Sequence, residues 1–296
     1  MLKTMIIAAG VAAAASAAAA DTWTGFNAII RNDLSSVGDV EGAVLVGGNV
    51  SGNNIFGSLG TSPSGLTLGV AGNVVGNLNL NSGNARIGGL VTSNVNNNGG
   101  GSITQNDAGI AALVDLAWNE AVAASAAFAG LSGNSSTSAI AGNKLLFDAA
   151  DGADFAVFNL DASDFSTYQE FVLQRDGAST IVINVSGGAS DIDVLSTVNS
   201  FTSSAADIVW NFLDAMGTID VQRQMEGTVL ATEATIRQSA VIEGTVVALS
   251  AMMNGQEFHL PTFAGDVPGG SPIVPLPGPG ALAAAGLSLV ALRRRR

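Results

Sequence analysis

Short aliphatic runs separated by glycine and asparagine recur through most of this chain. Between residues 70 and 98, a valine, leucine or isoleucine returns every few positions, with Gly or Asn between them. A short aliphatic run suits a β-strand, and Gly and Asn tolerate the left-handed backbone that a sharp corner needs. A disordered linker rich in Gly and Asn would lack aliphatic residues at such regular intervals. The pattern therefore predicts short strands joined by tight corners.

Two short signatures repeat along the chain. One begins with Glu-Gly and continues into an aliphatic run, at residues 41–46, 226–231 and 243–248, and its last two copies start 17 residues apart. The other, Gly-Asn-Val, stands at residues 48–50 and returns 24 residues later at 72–74. Imperfect repeats of this length are typical of stacked solenoid coils. We therefore predict a mainly β, β-solenoid-like fold, a discontinuous β-helix, with an ordinary β-sandwich as the alternative.

One segment has the period of a helix. From Asp107 to Ala129 the apolar residues fall at spacings of three and four, which predicts one long α-helix packed alongside the β-body. Asn106 or Asp107 is expected to cap its start, and Gly130 or Gly133 to end it. Its polar face carries Asp, Asn and Glu but no Lys or Arg, which disfavours a role at a membrane surface.

The rest of the body is predicted to be mostly strand. Three apolar runs of strand length follow the helix, at residues 155–160, 180–185 and 208–212. Residues 163–173 are expected to form a short helix that Ser163 or Asp164 caps. The coil-like pattern then resumes from residue 225 to residue 263. Because the long helix interrupts the repeats, coils that are distant in sequence are expected to meet in space.

The N-terminus has the order of a secretory signal peptide. Lys3 supplies one positive charge, residues 5–11 are apolar, and the segment ends in a run of alanines. We predict residues 1–20 as the signal peptide, with cleavage between Ala20 and Asp21. A buried N-terminal helix is the alternative, but such a helix needs a polar face, which this run lacks.

The C-terminus carries a second processing pattern. Val274, Pro275, Leu276 and Pro277 precede an apolar stretch at residues 280–292, and four arginines end the chain. We predict a short transmembrane helix here, whose arginines hold its end on the cytoplasmic side. An ordinary membrane anchor is the alternative, although such an anchor needs no Pro-rich segment in front of it.

This order of motif, short apolar helix and arginine cluster resembles the VPLPA-type variant of the PEP-CTERM sorting tails of Gram-negative bacteria. The resemblance implies an exosortase-like sorting enzyme as partner. It also implies that the tail holds the protein in the inner membrane until the tail is cut, so that the body reaches the cell surface or the extracellular space. We therefore divide the chain into a signal peptide at 1–20, one domain at 21–266, and a Pro/Gly linker with the sorting tail at 267–296.

Charge and composition narrow the range of partners. The body holds all 24 acidic residues and 6 of the 11 basic ones, so nucleic acid and anionic membrane surfaces are poor partners. Cations, basic proteins and neutral polysaccharides remain as candidates. The chain has no cysteine and one histidine, which excludes thiol catalysis, thiolate metal sites and multi-histidine metal sites.

Several motifs occur in a fixed order across the body. They are residues 26–30 (FNAII), 40–50 (VEGAVLVGGNV), 183–187 (INVSG), 209–212 (VWNF), 227–231 (GTVLA) and 257–259 (EFH). In this order they resemble the choice-of-anchor A family of bacterial adhesive domains, over nearly all of residues 21–263. The resemblance implies adhesion to an extracellular protein or polysaccharide, and it offers no catalytic residues to transfer. The C-terminal motifs are also similar to the discontinuous β-solenoid of bacterial ice-binding proteins, which implies an ice-binding or polysaccharide-binding module as the alternative.

Candidate chemistry is sparse. Asp148, Asp151 and Asp154 lie in a predicted loop and are candidate ligands for Ca²⁺. Asp191 and Asp193 would point from the same side of a strand. A glycosidase needs two carboxylates in one groove, so this pair is a candidate for such chemistry. Neither group has basic or aromatic neighbours of the kind that sugar binding uses, so solvated surface acids are the simpler interpretation.

The single histidine and the repeated glutamates are expected to have structural roles. His259 stands between Phe258 and Leu260 and is more typical of a packed or capping residue than of a catalytic base. Glu41, Glu226 and Glu243 begin similar coils, so we expect them to occupy equivalent turn positions.

Ice binding would need a flat array of regularly spaced threonines. The candidates Thr228, Thr232, Thr235 and Thr245 are too irregularly spaced to form one convincingly.

Because the candidate chemistry is sparse, we expect that the protein is not an enzyme and needs no cofactor. The predicted function is that of an exported adhesin-like protein of the cell surface, extracellular matrix or biofilm.

Overall fold

A computed structural model describes residues 23–269 of the protein. Over this range the chain winds into a solenoid whose coils stack through parallel strand pairs. The predicted mainly β, solenoid-like fold is therefore confirmed. The signal peptide with its cleavage position at Ala20 and Asp21, and the sorting motif at residues 274–277, lie outside the described residues and stay predictions.

The described elements are mostly short strands. In chain order the strands are β1 (Ala28–Ile30), β2 (Leu34–Val40), β3 (Val44–Val46), β4 (Val50–Phe56), β5 (Leu66–Val70), β6 (Val74–Leu80), β7 (Asn84–Ile87), β8 (Val95–Asn97), β9 (Ile103–Thr104), β10 (Ser136–Ile140), β11 (Lys144–Asp148), β12 (Phe155–Asp161), β13 (Glu170–Gln174), β14 (Thr180–Ser186), β15 (Ile192–Val194), β16 (Ile208–Phe212), β17 (Thr218–Val221), β18 (Met225–Glu226), β19 (Thr228–Gln238), β20 (Ile242–Glu243), β21 (Val246–Asn254) and β22 (Phe258–His259). The α-helices are α1 (Ile110–Ala129) and α2 (Asp164–Thr167), and 3₁₀ segments lie at Trp23–Gly25 and Asn199–Asp207.

Each complete coil runs along three faces of the solenoid, here named A, B and C. Face A stacks β12, β14, β16, the first halves of β19 and β21, then β1, β3, β5, β7 and β9. Face B stacks β15, β17, the second halves of β19 and β21, and the first halves of β2, β4 and β6. Face C stacks β18, β20, β22, the ends of β2, β4 and β6, and β8. The three strands predicted after the helix are β12, β14 and β16 and are confirmed.

The order of strands on face A does not follow the order of the chain. β1 lies between β21 and β3, with Ala28 opposite Val246 on one side and Val44 on the other. The first strand therefore stacks directly on the last complete coil. This junction, which we call the closure, confirms that coils distant in sequence meet in space. Beside it, the ring of Trp23 stacks on that of Phe263 with centroids 5.3 Å apart.

Asn27 connects the coils that meet at the closure. Its carboxamide nitrogen donates to the backbone oxygens of Gly244 and His259, both at 2.9 Å, and its oxygen accepts from the Gly42 N–H at 3.1 Å. Asn27 is fully buried, so water cannot replace these bonds. A buried backbone group left unpaired costs about 1–3 kcal/mol, which makes this side chain a large local contribution to stability.

Face A is buried on both of its sides. Val44 and Val46 point into the solenoid core, whereas Leu45 between them points outward and packs under α1. The outward residues covered in this way are Ile29, Leu45, Val157, Val182, Val209, Leu230 and Val247. Alternating strands normally leave one side polar and wet, so the cover that α1 provides explains why these outward positions are apolar.

The helix α1 confirms the predicted helix that packs alongside the β-body. The residues it buries repeat every three or four positions and are Ile110, Val114, Ala117, Trp118, Ala121, Ala124 and Phe128. Gly130 ends it, as predicted. The predicted start is wrong, because Gly109 is the N-cap residue and no side chain caps the helix. Asp107 instead accepts from the Gly109 N–H and from Arg86 Nε, the latter at 2.7 Å.

Side-chain amides and carboxylates hold the corner between faces A and B. Asp33 accepts from the Asn49 N–H at 2.7 Å, Asn49 Oδ1 accepts from the Asn73 N–H at 2.9 Å, and Asn73 Oδ1 accepts from the Leu90 N–H at 2.9 Å. Each of these bonds connects one coil to the next. The repeated Gly-Asn-Val signature is therefore a corner motif, in which Asn supplies a backbone acceptor to the following coil.

Glycine is required further along the same repeat. Gly52 and Gly76 pair in adjacent coils of face B, with φ of +103° and +129°. A Cβ on Gly76 would lie 2.0 Å from the backbone oxygen of Gly52, which is far inside van der Waals contact. The left-handed backbone and the close stacking both exclude a larger residue.

The helix predicted at residues 163–173 is only partly present. α2 covers Asp164–Thr167, with Ser163 at its N-cap but without a side-chain cap bond, and the remainder is strand β13. β13 pairs with β11 in a separate three-stranded sheet. The cause is tertiary, because Phe171 is fully buried there beside Phe147, with ring centroids 5.2 Å apart.

Phe128→Ala tests how much the packing of α1 on face A contributes. Phe128 is fully buried, with its ring 6.1 Å from that of Phe263. We expect the variant to lower the free energy of unfolding by about 3–5 kcal/mol in urea denaturation, because deleting a buried ring leaves a cavity. Leu116 is 37% exposed on the same helix and provides the control. Leu116→Ala should change the free energy of unfolding by no more than about 0.5 kcal/mol. Equal losses would contradict the packing of α1 on this face.

Candidate functional site

A row of ionisable residues runs along the corner between faces C and A. Glu226 pairs with Glu243 and Glu243 with His259 in adjacent coils, and Glu41 follows in the coil after the closure. We call these four residues the corner row. The three glutamates of the Glu-Gly repeat thus occupy equivalent turn positions, as expected, and His259 takes that position in the coil between Glu243 and Glu41.

His259 is surrounded by carboxylates. Its Nδ1 lies 2.9 Å from Glu243 Oε1, and its Nε2 lies 2.7 Å from Glu257 Oε2 and 3.9 Å from Glu41 Oε1. Burial works to lower the pKa of this imidazole, but the hydrogen bonds to Glu257 and Glu243 raise the pKa above its ordinary value. His259 is a packed residue, and carboxylates hold both ring nitrogens.

Glu226 ends the row in the protein interior. Its Oε1 accepts from Thr202 Oγ1 at 3.0 Å and from Gln224 Nε2 at 2.7 Å, while Oε2 is buried without a hydrogen bond from any described residue. Burial raises the pKa of the Glu226 carboxyl, and burial likewise raises the pKa of Asp39, whose charge faces Glu257. The corner therefore concentrates negative charge in a partly dehydrated place.

Part of face B is uncharged. Where β21, β2, β4 and β6 lie side by side, the outward side chains form two rows across the strands, Met252, Ser35, Ser51 and Val75 in one and Asn254, Val37, Asn53 and Asn77 in the other. We call these eight positions the neutral surface. Val37 and Val75 are 57% and 50% exposed. Ser and Asn thus alternate with exposed aliphatic groups on a rigid array.

The remainder of face B carries charged residues. Arg237 Nη2 lies 2.6 Å from Asp220 Oδ2, and Gln222 Nε2 donates to both Asp193 and Asp220 at 3.0 Å. Arg237, Asp220 and Asp193 continue the first row of the neutral surface into β19, β17 and β15. Face B is therefore divided along the solenoid axis into a charged half and an uncharged half.

The threonines considered for ice binding are not collected on one surface. Thr228 and Thr245 are fully buried, and Thr232 lies at the register irregularity between the two halves of β19. Thr235 alone of the four stands on face B, where it pairs with Thr218 and Ser250. An extended threonine array is absent from the described residues, as the irregular spacing predicts.

The predicted calcium ligands lie around the turn between β11 and β12. Asp148 ends β11, and Asp151 and Asp154 are exposed on either side of Gly152. Within residues 23–269, the three side chains do not bring oxygens within 4.8 Å of one another as a group, whereas Glu41, Glu257 and His259 do so. The calcium site stays a prediction that the geometry does not favour.

Asp193 lies on the outer side of β15 and Asp191 stands just before this strand on the same side, as expected, because Ile192 and Val194 point inward. Each carboxylate has a structural partner. Asp191 Oδ1 accepts from the Thr218 N–H at 2.7 Å, and Asp193 Oδ1 accepts from Gln222. This pair supports corner and strand contacts between coils.

The grouping of Glu257 and His259 with Glu41 could not be recognised from sequence. The Glu-Gly repeat shows that the glutamates share a turn position, but Glu41 and His259 are 218 residues apart and become neighbours only through the closure. A usable signal was present in the last motif, where Glu257 and His259 stand on either side of the buried Phe258.

The profile of one protein family covers most of this chain. The family, described as "Putative Ice-binding-like adhesive domain", matches residues 19–260. The chain belongs to this family. No curated protein sequence matches the chain. The finer identification as choice-of-anchor A and the sorting tail stay predictions.

Several solved structures are similar to this ice-binding-like adhesive domain. An ice-binding protein from the Antarctic ascomycete Antarctomyces psychrotrophicus is 16% identical, with a TM-score of 0.36 over 81% of this chain and 96% of that one. An ice-binding protein from an Antarctic Flavobacteriaceae bacterium is 15% identical, with a TM-score of 0.34 over 89% and 52%. A glycosylated ice-binding protein from an Arctic yeast is 12% identical, with a TM-score of 0.32 over 86% and 96%. Similarities this distant assign no residue and no ligand.

Glu226→Gln tests the charge at the buried end of the corner row. Burial raises the pKa of Glu226 in the folded protein above its ordinary value, so the unfolded chain loses this proton first as pH rises. The wild type therefore loses stability as pH rises from the unfolded pKa toward the folded pKa. The amide cannot ionise, so we expect the variant to be more stable at pH 7 by on the order of 1 kcal/mol. The difference should shrink toward zero below the unfolded pKa.

Thermal unfolding of both proteins across this pH range measures the effect. Glu233→Gln, at an exposed position of β19, is the control and should differ from the wild type by close to zero. A Glu226→Gln variant that is less stable than the wild type at pH 7 would show that Glu226 is stabilising as an anion.

Proposed function

We propose that this protein is an exported adhesive module that attaches to neutral polysaccharide through the neutral surface on face B. The observation that carries the proposal is an array of eight uncharged outward positions in a body that holds 24 acidic residues. In such a body an uncharged area of this size requires an explanation. Membership of an adhesive domain family supports binding as the general function.

The chemistry of the neutral surface suits a hydroxyl-rich polymer. Ser35, Ser51, Asn53 and Asn77 offer donors and acceptors, and Val37 and Val75 between them offer apolar contact to the faces of sugar rings. Neighbouring strands place these groups about 4.8 Å apart in a regular array. The surrounding acids would repel anionic polymers, so selectivity for a neutral chain follows from charge.

The rigidity of the array favours binding. On the inner side of the same strands Leu34, Val50 and Val74 stack in one buried ladder, and the corner asparagines connect successive coils. Side chains held in this way lose little freedom when a ligand binds, so more of the contact energy appears as affinity. We propose binding without catalysis, since the outward carboxylates Asp191, Asp193 and Asp220 are used in contacts between coils.

Export and surface attachment complete the proposal. The predicted signal peptide would direct the chain across the inner membrane, and the predicted sorting tail would hold it there until an exosortase-like enzyme cuts the tail. The proposed location of the mature domain is the cell surface or the extracellular matrix.

Lysine substitutions on the neutral surface test the ligand-binding proposal. We expect the full chain to sediment with insoluble cellulose, and Val37→Lys/Val75→Lys to bind at least about tenfold more weakly, because charged side chains would have to be dehydrated at the contact. Leu59→Lys is the control, since Leu59 is 68% exposed outside face B. Absence of cellulose binding by the wild type, or equal weakening in both variants, would overturn the proposal.

Ice is a second candidate ligand for the same surface, favoured by the family description and by the regular pairing of the two rows. If ice is the ligand, the wild type and Leu59→Lys should inhibit ice recrystallisation, and the double lysine variant should lose this activity. Inhibition of ice growth without cellulose binding would replace polysaccharide by ice as the ligand of the neutral surface.

Deleting residues 274–296 tests the sorting proposal. In a host with the sorting enzyme, we expect the wild type at the surface or in the medium, with an intact mass that lacks residues 1–20 and the tail. The deletion variant should be exported but never held in the inner membrane. A wild-type species that keeps its full tail and remains in the inner membrane would leave an ordinary membrane anchor as the explanation.

A further inference from the structure

We propose that Glu41, Glu257 and His259 form a binding site for one small divalent transition-metal ion, for which Zn²⁺ is the natural probe. One ligand atom from each of these side chains lies within 4.8 Å of the other two. No other group of three such residues in the described part of the chain meets this condition. The site is on the corner between faces C and A and is separate from the neutral surface.

The donor atoms converge on one point. His259 Nε2 lies 2.7 Å from Glu257 Oε2 and 3.9 Å from Glu41 Oε1. A metal ion bound by these three atoms would replace the proton that His259 and Glu257 share. Zn²⁺ accepts imidazole nitrogen at about 2.0–2.1 Å and carboxylate oxygen at about 2.0–2.2 Å, so the ligands would move by only small side-chain adjustments.

Two of the three proposed ligands, His259 and Glu41, are each oriented by a further contact. Glu243 Oε1 lies 2.9 Å from His259 Nδ1, so this carboxylate fixes the tautomer that leaves Nε2 facing Glu257 and Glu41. The Leu260 N–H donates to Glu41 Oε2 at 2.8 Å, so Oε1 is the oxygen directed toward the histidine. A carboxylate behind a ligating histidine and a hydrogen bond behind a ligating carboxylate are the usual supports of a protein metal site.

The local excess of negative charge also favours the binding of a cation. Among the described residues, no Lys or Arg lies within ion-pair distance of Glu41, Glu243 or Glu257, and their ion pairs are all with His259. At the buried end of the corner row Glu226 Oε2 has no hydrogen bond, and its carboxylate interacts electrostatically with Glu243 and His259. One imidazolium cannot balance this number of carboxylates, whereas a divalent ion adds twice the charge.

The donor set selects the type of ion. One imidazole nitrogen and two carboxylate oxygens suit Zn²⁺ or a similar first-row ion, whereas Ca²⁺ prefers six to eight oxygens. The side chains of His259 and Glu257 are 25% and 48% exposed, which gives the ion a path from solvent and leaves room for water as a further ligand.

Isothermal titration of the EDTA-treated full chain tests the proposal. We expect one Zn²⁺ to bind per chain, and Ca²⁺ to bind at least about tenfold more weakly. Glu257→Gln and His259→Gln should each weaken Zn²⁺ binding at least about tenfold, and Glu243→Gln about 10- to 100-fold through loss of the support behind His259. Glu233→Gln is the matched control and should bind Zn²⁺ as the wild type does.

A second measurement keeps the result independent of folding. Circular dichroism establishes that each variant is folded, and the visible absorption of bound Co²⁺ reports the coordination geometry of the ion, which should change when the imidazole ligand is removed. The expected spectrum is lost in His259→Gln and kept in Glu233→Gln. Absence of saturable Zn²⁺ binding, or binding that Glu257→Gln and His259→Gln leave unchanged in the folded state, would overturn the site. None of these outcomes depends on polysaccharide or ice binding.

Discussion

The insertion of the first strand between two later coils is the constraint on which the rest of the structure depends. β1 fills a gap in face A that β21 and β3 alone would leave unpaired. Asn27 then satisfies backbone groups on both sides of the gap from one buried carboxamide. Because parallel pairing offers few local contacts, neither half of the solenoid gains this stability until β1 and β21 have met.

The closure also determines which surfaces exist. The neutral surface joins β21 to β2, and the corner row joins β22 to the turn after β2, so both combine residues from opposite ends of the chain. α1 covers face A and fills its outer side with a second core. Faces B and C remain for recognition, and along them the chain separates uncharged positions from acidic ones.

Much of this architecture follows from local sequence. The Gly-Asn-Val and Glu-Gly repeats predict coils and corners because each repeat supplies the residue types that one corner needs, and the apolar period of α1 is long enough to be unambiguous. The segment at residues 163–173 shows where local reasoning fails. There, aromatic packing of Phe171 and pairing with β11 decide between helix and strand, and neither is visible in a window of ten residues. For the same reason the site around His259 could not be predicted, since its ligand set requires the register across the closure.

The stacking of Trp23 on Phe263 has a mechanical consequence. These residues lie near the two ends of the described chain, and both pack beside the closure, in the middle of the stack of coils. A tether attached beyond either end would therefore transmit tension into the centre of the domain and leave the terminal coils at β9 and β12 unloaded. Peeling would have to start at β1 and β22, which are paired on both sides, so a domain held in this way should resist shear from flowing water better than one tethered through an end coil.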